Sequence, residues 1–309
     1  MKRKIFFIFL LILSVSLLVG CDFLDFSNYD NSSSTNSDLT ALQAEKARLQ
    51  LEIDRLEARI AEIKEENGIV SEFNSDAELY DIINEISLEV VKANVIVYAK
   101  TYRVSMWGGS SLVATGQGSG VIFSQSSNEL YYYVLSNHHV VAPDSKYTSS
   151  SYSMNYTIKD YKANEYTADL LFSSADYDLA VLRFRKNSEH PLKSLQIETV
   201  NPDPGNVVVA IGQPEGQSNT ITFGQIITYS KVTLSDTPIS ESNVKFDVIS
   251  HDAPINSGSS GGVLLNSSLH IVGINYAGSH DDYGNFVRAY AIPIEKVIEY
   301  LTDNGFSLK

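Results

Sequence analysis

Asn256-Ser257-Gly258-Ser259-Ser260-Gly261-Gly262 sets hydroxyls among glycines, between apolar, strand-like residues. Without a Cβ, glycine lets the backbone turn tightly and bring successive N–H groups onto one point, which is the geometry an oxyanion needs. Ser/Gly tracts also make plain loops, so the reading depends on what lies upstream. There, Tyr133-Val134-Leu135-Ser136-Asn137-His138-His139-Val140-Val141 ends an apolar strand in histidine, and Tyr177-Asp178-Leu179-Ala180-Val181-Leu182 opens another with aspartate. The order is His, Asp, Ser. A serine hydroxyl is a poor nucleophile at neutral pH and needs an imidazole to take its proton. The imidazole in turn needs a carboxylate to fix its tautomer and stabilise the imidazolium. His138 stands beside His139, Asp176 near Asp178 and Ser259 beside Ser260. Adjacent strand residues face opposite ways, so only one histidine of the pair can face the serine.

Chymotrypsin-type serine proteases carry the triad in this order, whereas subtilisins and α/β-hydrolases use others. The chain resembles the HtrA (DegP-like, Do-like) serine proteases across residues 78 to 305. Gly118-Ser119-Gly120-Val121-Ile122-Phe123 is similar to the family's G-S-G-V-I strand, and Ser136-Asn137-His138-His139-Val140-Val141 to its T-N-x-H-V-V block. Asp178-Leu179-Ala180-Val181-Leu182, Ala210-Ile211-Gly212-Gln213-Pro214-Glu215-Gly216 and Asp252 to Gly262 match further blocks in register, as do Gly273-Ile274-Asn275 and Tyr290-Ala291-Ile292-Pro293.

The resemblance implies Ser260 as nucleophile, His139 as general base and then acid, and Asp178 as the orienting carboxylate. Gly258 and Ser260, with Ser259, would supply the oxyanion N–H groups. Ile274, Asn275 and Tyr276 would border a primary pocket for small or medium apolar side chains. Pro254 occupies the position, about six before the nucleophile, where an acidic residue would select Lys or Arg, so a trypsin-like preference is not expected. Ser259 departs from the family's usual Asn, and Thr222-Phe223-Gly224-Gln225-Ile226-Ile227 carries an extra residue. The polar, Tyr-rich stretch from Ala142 to Tyr166 does not map onto the family's loops.

The fold expectation is all-β. Short β-branched and aromatic runs alternate with Gly, Asn, Ser and Asp clusters from Val95 onward. The resemblance makes these two six-stranded antiparallel barrels, at 78–189 and 190–309, the second closing with a helix that begins at Pro293. No PDZ domain is expected after that helix.

Lys2, Arg3 and Lys4 precede an apolar stretch that ends in Leu18-Val19-Gly20-Cys21. This reads as a lipoprotein signal peptide over 1–20, with Cys21 lipidated and the domain held outside the cytoplasmic membrane. Cys21 is the sole cysteine, so no disulfide can form within the chain. Residues 21–38 read as a flexible tether. Over 39–67, Leu42, Leu49, Leu56 and Ile63 recur every seven residues, with Leu39, Lys46, Ile53 and Ile60 interleaved. That is coiled-coil spacing, and with the resemblance it implies a homo-oligomer, a trimer in first place, the alternative being a helix packed on its own protease domain or on another protein.

A net charge of −14 argues against nucleic-acid binding. No metal or cofactor is expected, since serine acyl transfer requires neither. The function expected is a membrane-anchored endopeptidase acting on unfolded or damaged envelope proteins. The alternative is a non-catalytic scaffold built on a protease fold.

Overall fold

The computed structural model describes residues 76–128, 130–213, 220–231, 242–281, 283–284 and 286–306. The expectations placed on residues 1–67, namely leader, lipidated Cys21, tether and coiled coil, lie outside these residues. Among the described residues no helix is long and apolar enough to cross a membrane.

The β-branched runs form two closed antiparallel barrels, as expected. The first takes β1 (Asn94–Val104), β2 (Ser110–Gln125), β3 (Tyr131–Ser136), β4 (Tyr152–Lys159), β5 (Glu165–Ser174) and β6 (Leu179–Arg185), in the order β1-β2-β3-β6-β5-β4. The second takes β7 (Val207–Gly212), β8 (Thr220–Ser230), β9 (Val248–His251), β10 (Val263–Leu265), β11 (Ile271–His280) and β12 (Phe286–Pro293), in the order β10-β11-β12-β9-β8-β7. Closure leaves neither barrel with an open edge along its length. The interiors are filled by Val95, Val97, Ile122, Val134 and Leu182 in the first and by Val208, Ile226, Ile249 and Leu264 in the second, all essentially inaccessible to water. Burial of each such side chain stabilises by about 1.5–3 kcal/mol.

Among the described residues three α-helices accompany the barrels: α1 (Asp76–Leu88), the single turn α2 (His138–Val141) and α3 (Ile294–Asp303). The turn α2 corrects one expectation. β3 ends at Ser136, so His138 and His139 do not alternate across a strand but diverge by about 100° around a helical turn. The Tyr-rich stretch after Ala142 is also largely regular, supplying β4 and the start of β5, with β4 paired to β1 from Ile96↔Lys159 to Arg103↔Tyr152. The extra residue near Gly224 falls beside a bulge in β8, between Ile226 and Thr228.

The barrels are joined by the segment between β6 and β7. Tyr132 Oη donates to the Leu192 carbonyl (2.8 Å) and accepts from the Leu192 N–H (3.0 Å), while Ile271 N–H bonds to the Gln196 carbonyl (2.8 Å). Helix α3 returns to the first barrel. Its Tyr300 Oη donates to the Leu179 carbonyl (3.2 Å), and Phe172 packs edge-on against Tyr300 and Phe306.

One titratable group lies wholly inside the second barrel. His251, at the end of β9, bonds through Nε2 to Asn275 Oδ1 (3.2 Å), and its Nδ1 has no partner among the described residues. Burial pushes its pKa down to about 4, partly countered by the Asn275 bond, with Arg288 lowering it further. Because the folded value lies below the ordinary histidine value, the unfolded chain binds the proton first, and stability is lost as pH falls from about 6.5 towards 4. The loss should reach roughly 3 kcal/mol. Denaturant midpoints at pH 7 and pH 4.5 should therefore differ more in the wild type than in His251→Gln; equal differences would show that His251 does not contribute.

Candidate active site

The Asn256–Gly262 stretch folds as two β-turns that share Ser259. Ser259 N–H donates to the Asn256 carbonyl and Gly262 N–H to the Ser259 carbonyl, both at 2.9 Å. The third position of each turn is a glycine with left-handed φ, 92° at Gly258 and 82° at Gly261, as a type II turn demands. Gly261 has a second reason to lack a side chain, because a Cβ there would collide with the Ser119 carbonyl and the Ser136 hydroxyl. The two neighbouring serines separate accordingly. Ser259 is buried and its Oγ accepts from Asn256 N–H (3.3 Å). Ser260 remains partly accessible, and its Oγ donates to the Tyr276 carbonyl (3.4 Å).

The first barrel grips this loop through Ser119 of β2, which is completely buried. Its N–H donates to the Ser260 carbonyl (2.7 Å), and its Oγ donates to the Gly258 carbonyl (2.8 Å) while accepting from Gln213 N–H (2.8 Å). Ser119's own carbonyl accepts from Ser136 Oγ (2.8 Å). Both carbonyls that flank the 259–260 peptide region are thereby turned into the protein. The N–H groups of Gly258 and Ser260 have no acceptor among the described residues. Ser259 differs from expectation: its N–H closes the first turn and is not available to an oxyanion.

His139 and Asp178 are joined twice. His139 Nδ1 bonds to Asp178 Oδ2 at 2.8 Å, and His139 N–H donates to Asp178 Oδ1 at 3.0 Å. Asp178 is inaccessible, whereas His139 keeps 15% of its side chain exposed. The carboxylate is thus shielded from water while the imidazole stays open on one side. Asp178 adopts φ 49°, a left-handed conformation that Asp tolerates better than most residues and that tends to mark functional sites. Asn137 Nδ2 holds the Asp178 carbonyl (2.8 Å), and the Tyr300 bond to Leu179 braces the next residue. Asp176 makes its side-chain bond elsewhere, to Asn243.

Helix α2 and the serine loop meet over Gly118. A Cβ there would touch both Val140 and the Ser260 carbonyl. The fold therefore brings the helical turn of His139, itself bonded to Asp178, and the loop of Ser260 to one junction between the barrels. The expected pocket residues sit in β11 with buried side chains. Asn275 Nδ2 bonds to the Val263 carbonyl (3.2 Å) and its Oδ1 to His251, so Asn275 and Tyr276 meet the serine loop through backbone atoms, while Ile274 pairs with Val263 of β10. The roles of Ser119, Ser136 and Asn137 were missed by sequence reasoning, although all three stand inside motifs that it used. Among the described residues no group of His, Cys, Asp and Glu could hold a metal ion.

Residues 118–274 match the trypsin-like peptidase domain family. The chain is 30% identical to the serine protease Do-like HtrB of Bacillus subtilis (strain 168) over 254 residues, covering 79% of this chain and 51% of that protein. Over 181 residues it is 31% identical to the periplasmic pH-dependent serine endoprotease DegQ of Escherichia coli (strain K12), covering 58% of this chain and 35% of that one. Among solved structures, the HtrA-type protease AlgW with a tripeptide superposes with a TM-score of 0.52 at 25% identity, covering 72% of this chain and 62% of that one. The chain spans about half the length of the Bacillus relatives it matches.

Two substitutions test the architecture of the loop. Gly261→Ala should destabilise the protein by several kcal/mol, since it adds left-handed strain to a steric clash. Ser119→Ala should cost about 1–3 kcal/mol by taking the hydroxyl donor from the Gly258 carbonyl. Urea unfolding of each variant measures both, and wild-type midpoints would refute the clamp.

Proposed function

Because the chain belongs to the trypsin-like peptidase family, with Do-like (HtrA) serine proteases as its relatives, we propose that it is a serine endopeptidase using Ser260, His139 and Asp178. The observation that carries this reading is the pair of hydrogen bonds between Asp178 and His139, which fixes the ring so that Nδ1 bears the proton and Nε2 is left as the base. Ser260 Oγ attacks the substrate carbonyl carbon while its proton passes to His139 Nε2. The resulting oxyanion is held by the N–H groups of Gly258 and Ser260. Collapse breaks the C–N bond, and His139 returns the proton to the leaving amine. Water then repeats the sequence on the acyl-serine and restores the enzyme.

At rest, Ser260 Oγ donates to the Tyr276 carbonyl, so turnover begins with rotation of the Ser260 side chain towards His139. The primary pocket is assigned to the β11 backbone at Ile274, Asn275 and Tyr276, facing the segment before the nucleophile. Pro254 there offers no charge, and Ile255 lies against Gly278 of β11, which supports small or medium apolar side chains in that pocket. Lipidation of Cys21, anchoring on the outer face of the cytoplasmic membrane, and a trimer assembled through 39–67 complete the proposal. The substrates are unfolded or damaged envelope polypeptides. The E. coli relative named as periplasmic supports an envelope location.

Fluorophosphonate labelling tests the mechanism. Wild type should label, Ser260→Ala and His139→Ala should not, and Asp178→Asn should lose about 10⁴-fold in kcat on an unfolded protein substrate. A wild-type chain that neither labels nor cleaves, even with unfolded protein present, would establish the scaffold reading instead.

A further inference from the structure

The hairpin between β1 and β2 ends in Ser105-Met106-Trp107-Gly108-Gly109, and its two largest side chains stand fully in solvent, Met106 at 101% and Trp107 at 97% exposure. The turn that presents them is well bonded. Ser105 N–H donates to the Gly109 carbonyl (2.7 Å), Gly108 N–H to the Ser105 carbonyl (3.1 Å) and Trp107 N–H to Ser105 Oγ (3.2 Å). Just below, Val104 N–H is tied to the Ser151 carbonyl (2.7 Å). Val104 and Leu112 are also exposed, and the pairing Tyr102↔Leu112 puts Tyr102, Val104 and Leu112 on one face of the ribbon. Single exposed apolar residues are ordinary, but a bonded tip that holds Met and Trp outward above further apolar groups marks a contact surface.

Charge indicates what it contacts. The chain has 37 acidic residues against 23 basic ones, yet no Asp or Glu occurs between Glu89 and Glu129, where Lys92, Lys100 and Arg103 all lie. The neighbouring strand β4 lies in a second acid-free run, from Ser145 to Lys159, which adds Tyr147 and Tyr152; Tyr152 is paired with Arg103. The carboxylate next to that run, Asp144, is engaged by Lys146 (2.7 Å). An otherwise acidic protein thus presents a hairpin that carries Met106, Trp107 and Tyr102 beside Tyr152, with Arg103 exposed and no carboxylate along it. Trp and Tyr rings favour the membrane–water interface, and basic side chains favour anionic headgroups.

We propose that the β1–β2 hairpin tip inserts into the interface of a lipid bilayer carrying anionic headgroups, with Met106 and Trp107 below the phosphates and Arg103 among them. The proposal stands apart from the catalytic reading and needs no lipid on Cys21. Trp107 is the sole tryptophan of the chain, so intrinsic fluorescence reports on the tip alone. The experiment reconstitutes the full chain into phosphatidylcholine vesicles with and without phosphatidylglycerol. Measured quantities are the emission maximum, quenching by brominated acyl chains and quenching by aqueous acrylamide. With phosphatidylglycerol present, emission should move to the blue, brominated lipid should quench it, and acrylamide quenching should at least halve. Arg103→Glu should reverse much of each change. Emission and acrylamide quenching like those of a hydrated tryptophan in both vesicle types would overturn the proposal. A blue shift without quenching by brominated lipid would also overturn it and place the tip against protein, either a second copy or a polypeptide substrate.

Discussion

Ser119 bonds at once to the Ser260 carbonyl, the Gly258 carbonyl, the Gln213 N–H and the Ser136 hydroxyl, in a setting closed to water. A buried polar group is tolerated only when its bonds are satisfied, and here satisfaction requires both barrels to be in place. The arrangement is therefore cooperative. Displacing the serine loop would strand donors and acceptors in the first barrel, and displacing β2 would strand the carbonyls of the loop. A loop rich in glycine, which on its own would sample many conformations, is held in one.

The same economy appears around the imidazole. Within Ser136-Asn137-His138-His139, Ser136 steadies Ser119, Asn137 holds the Asp178 backbone and His139 meets the Asp178 carboxylate. One short segment thus orders parts of both halves of the site. Asp178 accepts a left-handed backbone to present both carboxylate oxygens to a single residue, and α3 supports it from behind through Leu179.

The residues that carry the proposed chemistry were legible because they sit in local motifs: glycines around Ser260, an apolar run before His139, and another after Asp178. The barrels were legible from the spacing of β-branched runs and turn residues. The functions of Ser119 and Asn137 were not, since they are defined by partners far away in sequence, 139 positions from Ser119 to Gly258 and 41 from Asn137 to Asp178. No window on the sequence contains both ends of such a bond. The helical turn at His138 was hidden for a different reason, because four residues are too few for a 3.6-residue period to declare itself. The stretch after Ala142 did not map onto the family's loops, yet within it Tyr152, Met154, Tyr156 and Ile158 alternate with Ser153, Asn155, Thr157 and Lys159 as a strand requires, and its pairing with β1 places it in the first barrel.

Helix α3 follows every strand of both barrels in chain order, yet it packs beside the turn that carries Asp178, with 121 positions separating Tyr300 from Leu179. During synthesis that brace can form only after the whole second barrel has emerged. Contacts of such long range close late, because the entropy of joining distant segments must be overcome before they yield any stabilisation. The support behind Asp178 is thus among the last contacts to close, and the turn that carries it waits on every strand of both barrels.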